Sequence, residues 1–99
     1  MIKAIIEAHY SKRDTYGNCY WFLRYTDTAT GKTIEGTSTG GESNLYGIKR
    51  EMGYKSEEAH FQCIQHPIRE FNAITKKMPY IGCNPGAIAE KIKAQLKKP

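Results

Sequence analysis

The sequence predicts an α+β domain in which helices pack on one face of an antiparallel β-sheet. Three observations lead to this class. Residues 19–27 are rich in the aromatic and aliphatic side chains that favour strands. Turn residues join them to a threonine-rich return segment, and the second half of the chain repeats apolar residues at helical spacing. The predicted order is β-β-β-α-β-α-α, with three to four strands and two to three helices. At 99 residues, the chain is predicted to be a single domain, residues 1–99.

The first three predicted strands lie in the N-terminal half of the chain. Residues 2–10 alternate between two faces, and the mainly apolar face carries Ala4, Ile6, Ala8 and Tyr10. Residues 19–27 have aromatic side chains on both faces, which indicates a central strand that helices cover on one side. Residues 27–32 then form a turn, in which Asp27 bonds to backbone N–H groups and Gly31 takes a positive φ. Residues 32–39 return as the second arm of a β-hairpin.

One helix and one ambiguous segment follow the hairpin. Residues 43–52 are predicted to be helical because Leu45, Ile48 and Met52 form one apolar stripe, and Gly53 is a typical helix stop. Residues 59–65 fit two interpretations, a strand or a helix capped by Ser56. The strand is the preferred interpretation.

Two helices are predicted to close the chain. Pro67 fits the first turn of the first helix, and its apolar stripe consists of Ile68, Phe71 and Ile74. Asn84 and Pro85 are typical of a cap followed by the first helical position. The apolar residues of this terminal helix are Ala87, Ile88, Ile92 and Leu96.

The composition is that of an ordinary globular protein, with 39 % hydrophobic and 25 % charged residues. The net charge of +5 favours acidic partners. Three cysteines, Cys19, Cys63 and Cys83, form an odd set, which predicts reduced thiols in a cytoplasm. The first residues are too polar for a hydrophobic leader. No apolar run approaches the length of a membrane-spanning helix, so we expect no membrane association.

Metal and catalytic chemistry have weak candidates. His60, Cys63 and His66, with Cys83 downstream, are residue types that bind zinc. A strand over residues 59–65 would point His60 and Cys63 to opposite faces, so the predicted metal site is none. No convergent pair of acid and base marks a catalytic centre. We therefore expect no enzyme activity and no cofactor, and keep a small zinc protein or enzyme as an alternative.

A binding face is the remaining candidate. Tyr20, Phe22 and Arg24 share one face of the second strand, and the preceding loop carries Lys12, Arg13 and Tyr16. Aromatic rings with cationic neighbours stack bases and hold phosphates, and Tyr and Arg equally anchor protein interfaces. The third interpretation is that helices cover this face and make it core.

The turn between the third strand and the first helix is a second candidate. Gly40 and Gly41 end the strand pattern, and Ser43 or Asn44 can cap the helix that contains Tyr46. Such a turn points N–H groups at one spot, where an anion or an acidic side chain could sit. The simpler interpretation is a well-capped connection that binds nothing.

Two parts of the sequence together resemble small proteins encoded by bacteriophages and prophages. The first is residues 37–53, and the second comprises residues 67–72 and 79–85. The resemblance implies a protein that acts by binding, for example to a host enzyme, a defence complex such as CRISPR machinery, a signalling nucleotide or DNA. It carries no motif of known chemistry and assigns no functional residue.

The expected function is therefore binding without catalysis, in the cytoplasm of a host cell. The first hypothesis is an inhibitor that docks on a host protein or nucleoprotein complex, as anti-CRISPR proteins do. The alternative is direct binding of nucleic acid or a nucleotide by a basic, tyrosine-rich surface. Both a monomer and a homodimer remain open, because a self-complementary edge strand can pair two copies.

Overall fold

Four β-strands and three α-helices follow one another in the order that the sequence predicts. A computed structural model describes residues 1–13, 19–40 and 43–97, and leaves aside the side chains at positions 12, 13, 19, 20 and 43–45. The strands are β1 (Ala4–Arg13), β2 (Cys19–Asp27), β3 (Thr33–Gly40) and β4 (Ala59–Gln65). The helices are α1 (Ser43–Met52), α2 (Ile68–Thr75) and α3 (Pro85–Leu96). A short 3-10 turn, Ser56–Glu58, precedes β4. The strand interpretation of residues 59–65 is thus confirmed.

The sheet has the strand order β3-β2-β1-β4. The first three strands are antiparallel neighbours, and the β2–β3 turn has the predicted chemistry: Asp27 accepts from the Thr30 N–H at 3.2 Å, and Gly31 has a φ of +74°. β4 pairs with β1 in parallel, from Ala4↔Ala59 to Tyr10↔Gln65. The sheet is therefore mixed, where the sequence predicted an antiparallel one. The reason is the connection: α1 carries the chain across the sheet to its far edge, and only such long crossovers allow parallel pairing.

The main core lies between one face of the sheet and helices α1 and α3. The sheet contributes Ile6, Leu23 and Tyr25, which are fully buried, and the helices contribute Ile48, Ile88 and Ile92. The Tyr25 hydroxyl keeps a partner in this core, the Tyr54 hydroxyl at 2.6 Å. Burial and this hydrogen bond raise the pKa of Tyr25 far above its usual range. The predicted stripes are confirmed for Ile48 and Met52 of α1 and for Ile88, Ile92 and Leu96 of α3. Ala87 is exposed instead, and the side chain of Leu45 lies outside the description.

Helix α2 packs on the opposite face, which corrects the prediction that all helices lie on one face. Phe71 of α2 is buried and lies 6.2 Å from Phe22 of β2, centre to centre. Because β2 carries large aromatic residues on both faces, one helical layer cannot bury them all. Ile68 and Ile74 were predicted to face inward with Phe71, but they are exposed by 56 % and 39 %.

Helix α3 begins as predicted. The Asn84 side chain accepts from the N–H groups of Gly86 and Ala87 at 2.8 and 3.3 Å, and Pro85 is the first helical residue. This cap fixes the entry of the helix that covers the main core. Among the described residues, none of the helices combines the length and apolar character that crossing a membrane requires.

The two edges of the sheet differ in the chain segments that lie beside them. At β3, residues 79–81 run alongside the strand: the Thr37 N–H donates to the Pro79 carbonyl at 2.8 Å, and the Ile81 N–H donates to the Thr37 carbonyl at 2.9 Å. Ile81 is buried against Gly36, where a side chain would collide with it. At β4, no strand of the described chain pairs with the outer side. The β3 edge is thus covered around Thr37, whereas the outer side of β4 is open within the described chain.

Candidate binding site

The open edge of β4 presents the backbone groups of alternate residues. The Lys3 N–H donates to the Glu58 carbonyl at 2.6 Å, and the His66 N–H donates to the Tyr10 carbonyl at 2.8 Å. Even-numbered residues of this segment therefore direct their backbone groups towards β1. Because alternation along a strand reverses this direction, Phe61, Cys63 and Gln65 direct theirs outward. A further strand would find these groups in position.

The sequence of β4 lacks the features that usually prevent an edge strand from pairing. It is the one strand of the four without Asp, Glu, Lys or Arg. Its register with β1 runs from Ala59 to Gln65 without a bulge, and it contains no proline. Natural edge strands that must stay unpaired usually carry lysine, proline or a bulge. These features of β4 are typical of an edge strand that can pair with a further strand.

Side chains beside this edge add apolar contact area. Tyr46 of α1 is 62 % exposed, and its ring lies 5.4 Å from the ring of Phe61. The Lys49 ammonium lies 5.4 Å from the centre of the same Phe61 ring, within cation–π range. Cys63 is exposed on the same face as Phe61, and Ile64 is half-buried on the other. We call strand β4 and Tyr46 together the β4 margin.

A polar network lies behind the β4 margin on the second face of the sheet. The His9 Nδ1 lies 2.7 Å from the His66 Nε2, and the His9 Nε2 lies 3.2 Å from the Glu7 Oε1. A carboxylate only accepts hydrogen bonds, so a neutral His9 donates from Nε2 to Glu7 and accepts from the His66 Nε2–H. The His9 ring stacks on Phe22 at 4.3 Å, nearly parallel. The network ties β1 to the β4–α2 connection.

Replacement of His9 by glutamine is expected to weaken the pH dependence of the unfolding free energy. Burial lowers the pKa of His9 from its usual 6.5, and the opposing hydrogen bond to Glu7 is the smaller effect. A folded pKa below the unfolded one means that unfolding takes up a proton. This stability is fully present above pH 6.5. It is lost as the pH falls from that value through the folded pKa, by at most about 1.4 kcal/mol per pH unit for one proton.

Urea titrations at about pH 7 and pH 5 measure this difference. His60 is the matched control, because it lies exposed on the same face at the sheet margin. His9→Gln should lose less stability on acidification than both the unmodified chain and the His60→Gln control. Equal losses in all three would show that His9 does not titrate in this way.

The predicted aromatic and cationic face differs from the structure at two residues. Phe22 is completely buried between His9 and Phe71, so it cannot stack a base. Arg24 is half-exposed but paired, with the Glu7 Oε1 3.4 Å from its Nη1 and the Glu35 Oε1 3.5 Å from its Nε. The helix α2 makes Phe22 core, which was the third interpretation of this face.

The other predicted binding residues are only partly within the described chain. Lys12 and Arg13 end β1, Tyr20 lies in β2, and Ser43 and Asn44 open α1, all with side chains outside the description. Gly40 ends β3, whereas Tyr16 and Gly41 lie outside the described residues. Of the predicted set, Tyr46 is the one that the structure places at the β4 margin.

The weak zinc candidates are not brought together. His60 and Cys63 lie on opposite faces of β4, and the Nε2 of His66 is bonded to His9. Cys83 follows the segment that closes the far edge, at β3. Within the described ranges, no group of three His, Cys, Asp or Glu side chains could hold a metal ion.

A groove of about 460 Å³ lies between β3 and α3, away from the β4 margin. Its rim includes Tyr80, Lys32 and Lys91. The Lys32 ammonium donates to the Gln95 carbonyl at 2.5 Å, and the Lys91 ammonium donates to the Ile81 carbonyl at 3.2 Å. These contacts use the lysines to hold α3 against the closed edge, which is a structural task.

Sequence reasoning overlooked two features of the site. The polar face of the first strand received no role in the prediction, although Glu7 lies two residues before His9, which places both side chains on one face. The lack of charge in residues 59–65 was visible in the sequence and indicated an edge available for pairing. No protein family, curated protein or solved structure matches this chain. The function is therefore inferred from the geometry of the β4 margin.

Proposed function

We propose that this protein is a non-catalytic binding protein that docks on another protein through the β4 margin. The partner supplies an extended segment, which adds to the sheet beside β4. The observation that carries the proposal is the contrast between the edges. Residues 79–81 bond to β3 at Thr37, whereas β4 has no strand on its outer side within the described chain, runs without a bulge and lacks charged residues. In strand addition, backbone hydrogen bonds give affinity and side-chain contacts give specificity.

The side chains of the margin suit a protein partner. Tyr46 is a rigid aromatic side chain with both apolar and polar character, a type enriched at protein interfaces. It lies against Phe61, so a strand docked on β4 would have an aromatic wall beside it. The resemblance to small phage proteins favours a bacterial host protein or defence complex as the partner, and an inhibitory role. Direct nucleic-acid binding has less support, since Phe22 is buried and Arg24 is paired.

The test uses a pair of variants at Cys63. Cys63→Pro removes an outward N–H without touching the hydrogen bonds between β4 and β1, and edge strands tolerate proline at such positions. Cys63→Ala changes the side chain equally but keeps the N–H. Proteins retained from bacterial lysate on the immobilised chain are identified by mass spectrometry, and the affinity of a recovered partner is then measured for both variants.

The alanine variant is expected to keep the partner, and the proline variant to bind it at least about tenfold more weakly, since 1.4 kcal/mol is a factor of ten. Amide exchange of the complex should show new protection at Phe61, Cys63 and Gln65. Thermal melts confirm that both variants are folded. Partners retained equally by both variants, without new protection in β4, would show that docking occurs elsewhere.

A further inference from the structure

We propose that the chain without a foreign partner pairs with a second copy of itself through β4, forming an antiparallel two-fold dimer. This inference rests on the proposed docking role of the β4 margin and names its occupant in the unbound state. Two four-stranded sheets would join into one continuous sheet. A two-fold axis requires the same strand on both sides, and β4 meets this requirement along its full length.

One register pairs the whole strand. When Ala59 lies opposite Gln65 of the partner subunit, the axis passes beside Gln62, and every residue from 59 to 65 has a partner. Phe61 then lies opposite Cys63 of the partner subunit. Both residues direct their backbone groups outward, so each such pair exchanges both of its hydrogen bonds. Shifting the strands by two residues leaves residues at both ends unpaired.

Charge is compatible with this self-pairing. Each chain carries a net charge of +5, which opposes association in general. A two-fold edge contact places like charges opposite one another wherever the strand is charged. β4 has no such residue, in contrast to the other three strands. The repulsive charges of the described strands are thus kept away from the β4 edge.

The side chains also match across the axis. On the face of the main core, Phe61 would lie beside Cys63 of the partner subunit, with the exposed Tyr46 over the junction. On the second face, His60 would lie opposite Ile64 of the partner subunit, and two glutamines would meet at the axis. These contacts bury apolar surface that the single chain leaves exposed beside β4.

Self-pairing and partner docking use the same outward backbone groups. The two states therefore exclude each other. In the dimer the second copy occupies the outer side of β4, and a partner of higher affinity displaces it. This arrangement also protects an edge that would otherwise promote aggregation.

The first measurement is sedimentation equilibrium of the purified chain over a range of concentrations. The mass should approach about twice the 11.3 kDa of one chain. Cys63→Pro should remain a monomer at the same concentrations, and Cys63→Ala should form the dimer. A mass that stays at one chain at the highest soluble concentration would overturn the inference and leave partner docking at this edge untouched.

The second measurement tests the register by cross-linking. Cys63 and Cys83 are first changed to serine, and Gln62→Cys is introduced. In a pair without hydrogen bonds the Cα atoms are about 4.5 Å apart, which a disulfide can span. Mild oxidation should therefore give a cross-linked dimer. Asn72→Cys in the same background is the control on exposed α2 and should not cross-link above the background of Cys19. A dimer without the Gln62→Cys cross-link would show that two copies associate through another surface.

Discussion

Replacement of Phe22 by alanine is expected to lower the free energy of unfolding by about 3–5 kcal/mol, the usual range for a buried phenylalanine. Phe22 is fully buried, with the His9 ring stacked on one side and Phe71 of α2 nearby. Its removal would leave a cavity between the sheet and α2 that the short helix cannot fill without moving. This loss would be a large share of the 5–15 kcal/mol that holds an ordinary domain together.

Urea titration followed by circular dichroism measures this loss, and two variants complete the comparison. Phe22→Leu keeps most of the apolar volume and should lose much less stability. Ile68→Ala removes an apolar side chain of α2 that is 56 % exposed, so its effect should stay within about 0.5 kcal/mol. If Phe22→Ala were as mild as Ile68→Ala, the second face of the sheet would not be covered by α2.

Replacement of Gly36 by alanine is expected to lower the free energy of unfolding by about 1–3 kcal/mol, as overpacking does. An added Cβ would collide with the Ile81 side chain. Ile81 cannot withdraw easily, because its N–H is bonded to the Thr37 carbonyl and its side chain is buried in the main core. The substitution therefore acts on the contact that closes the β3 edge.

A double-mutant cycle with Ile81→Ala identifies the cause. In the Ile81→Ala background the contacts with the Ile81 Cγ1 and Cγ2 atoms are removed, and a tight contact of 3.2 Å with the Cβ remains. The restriction of the unfolded chain by alanine, a gain of about 0.4–1 kcal/mol, then offsets part of the remaining cost. The stability loss caused by Gly36→Ala should thus be much smaller in the Ile81→Ala background than in the unmodified chain, as measured by urea titration. The same loss in both backgrounds would show that Ile81 does not cause it.

Local sequence determined the elements of this protein and their order. The β2–β3 turn follows from Asp27 and Gly31, and the start of α3 follows from Asn84 and Pro85. These features depend on contacts within a few residues, which the sequence shows directly. The apolar spacing of α1 and α3 likewise predicted that Ile48, Ile88 and Ile92 face the core, although it also placed the exposed Ala87 there.

Only the tertiary structure decided how these elements are arranged. The parallel entry of β4, the position of α2 on the second face and the burial of Phe22 all depend on which surfaces meet across many residues of chain. The same holds for the candidate site. Tyr46 was predicted from its type, but its place beside Phe61 follows from the path of α1 over the sheet, and His9 meets His66 only because β1 and β4 pair in parallel. Periodicity tells which side chains share a face, whereas packing determines what covers that face and which edge stays open.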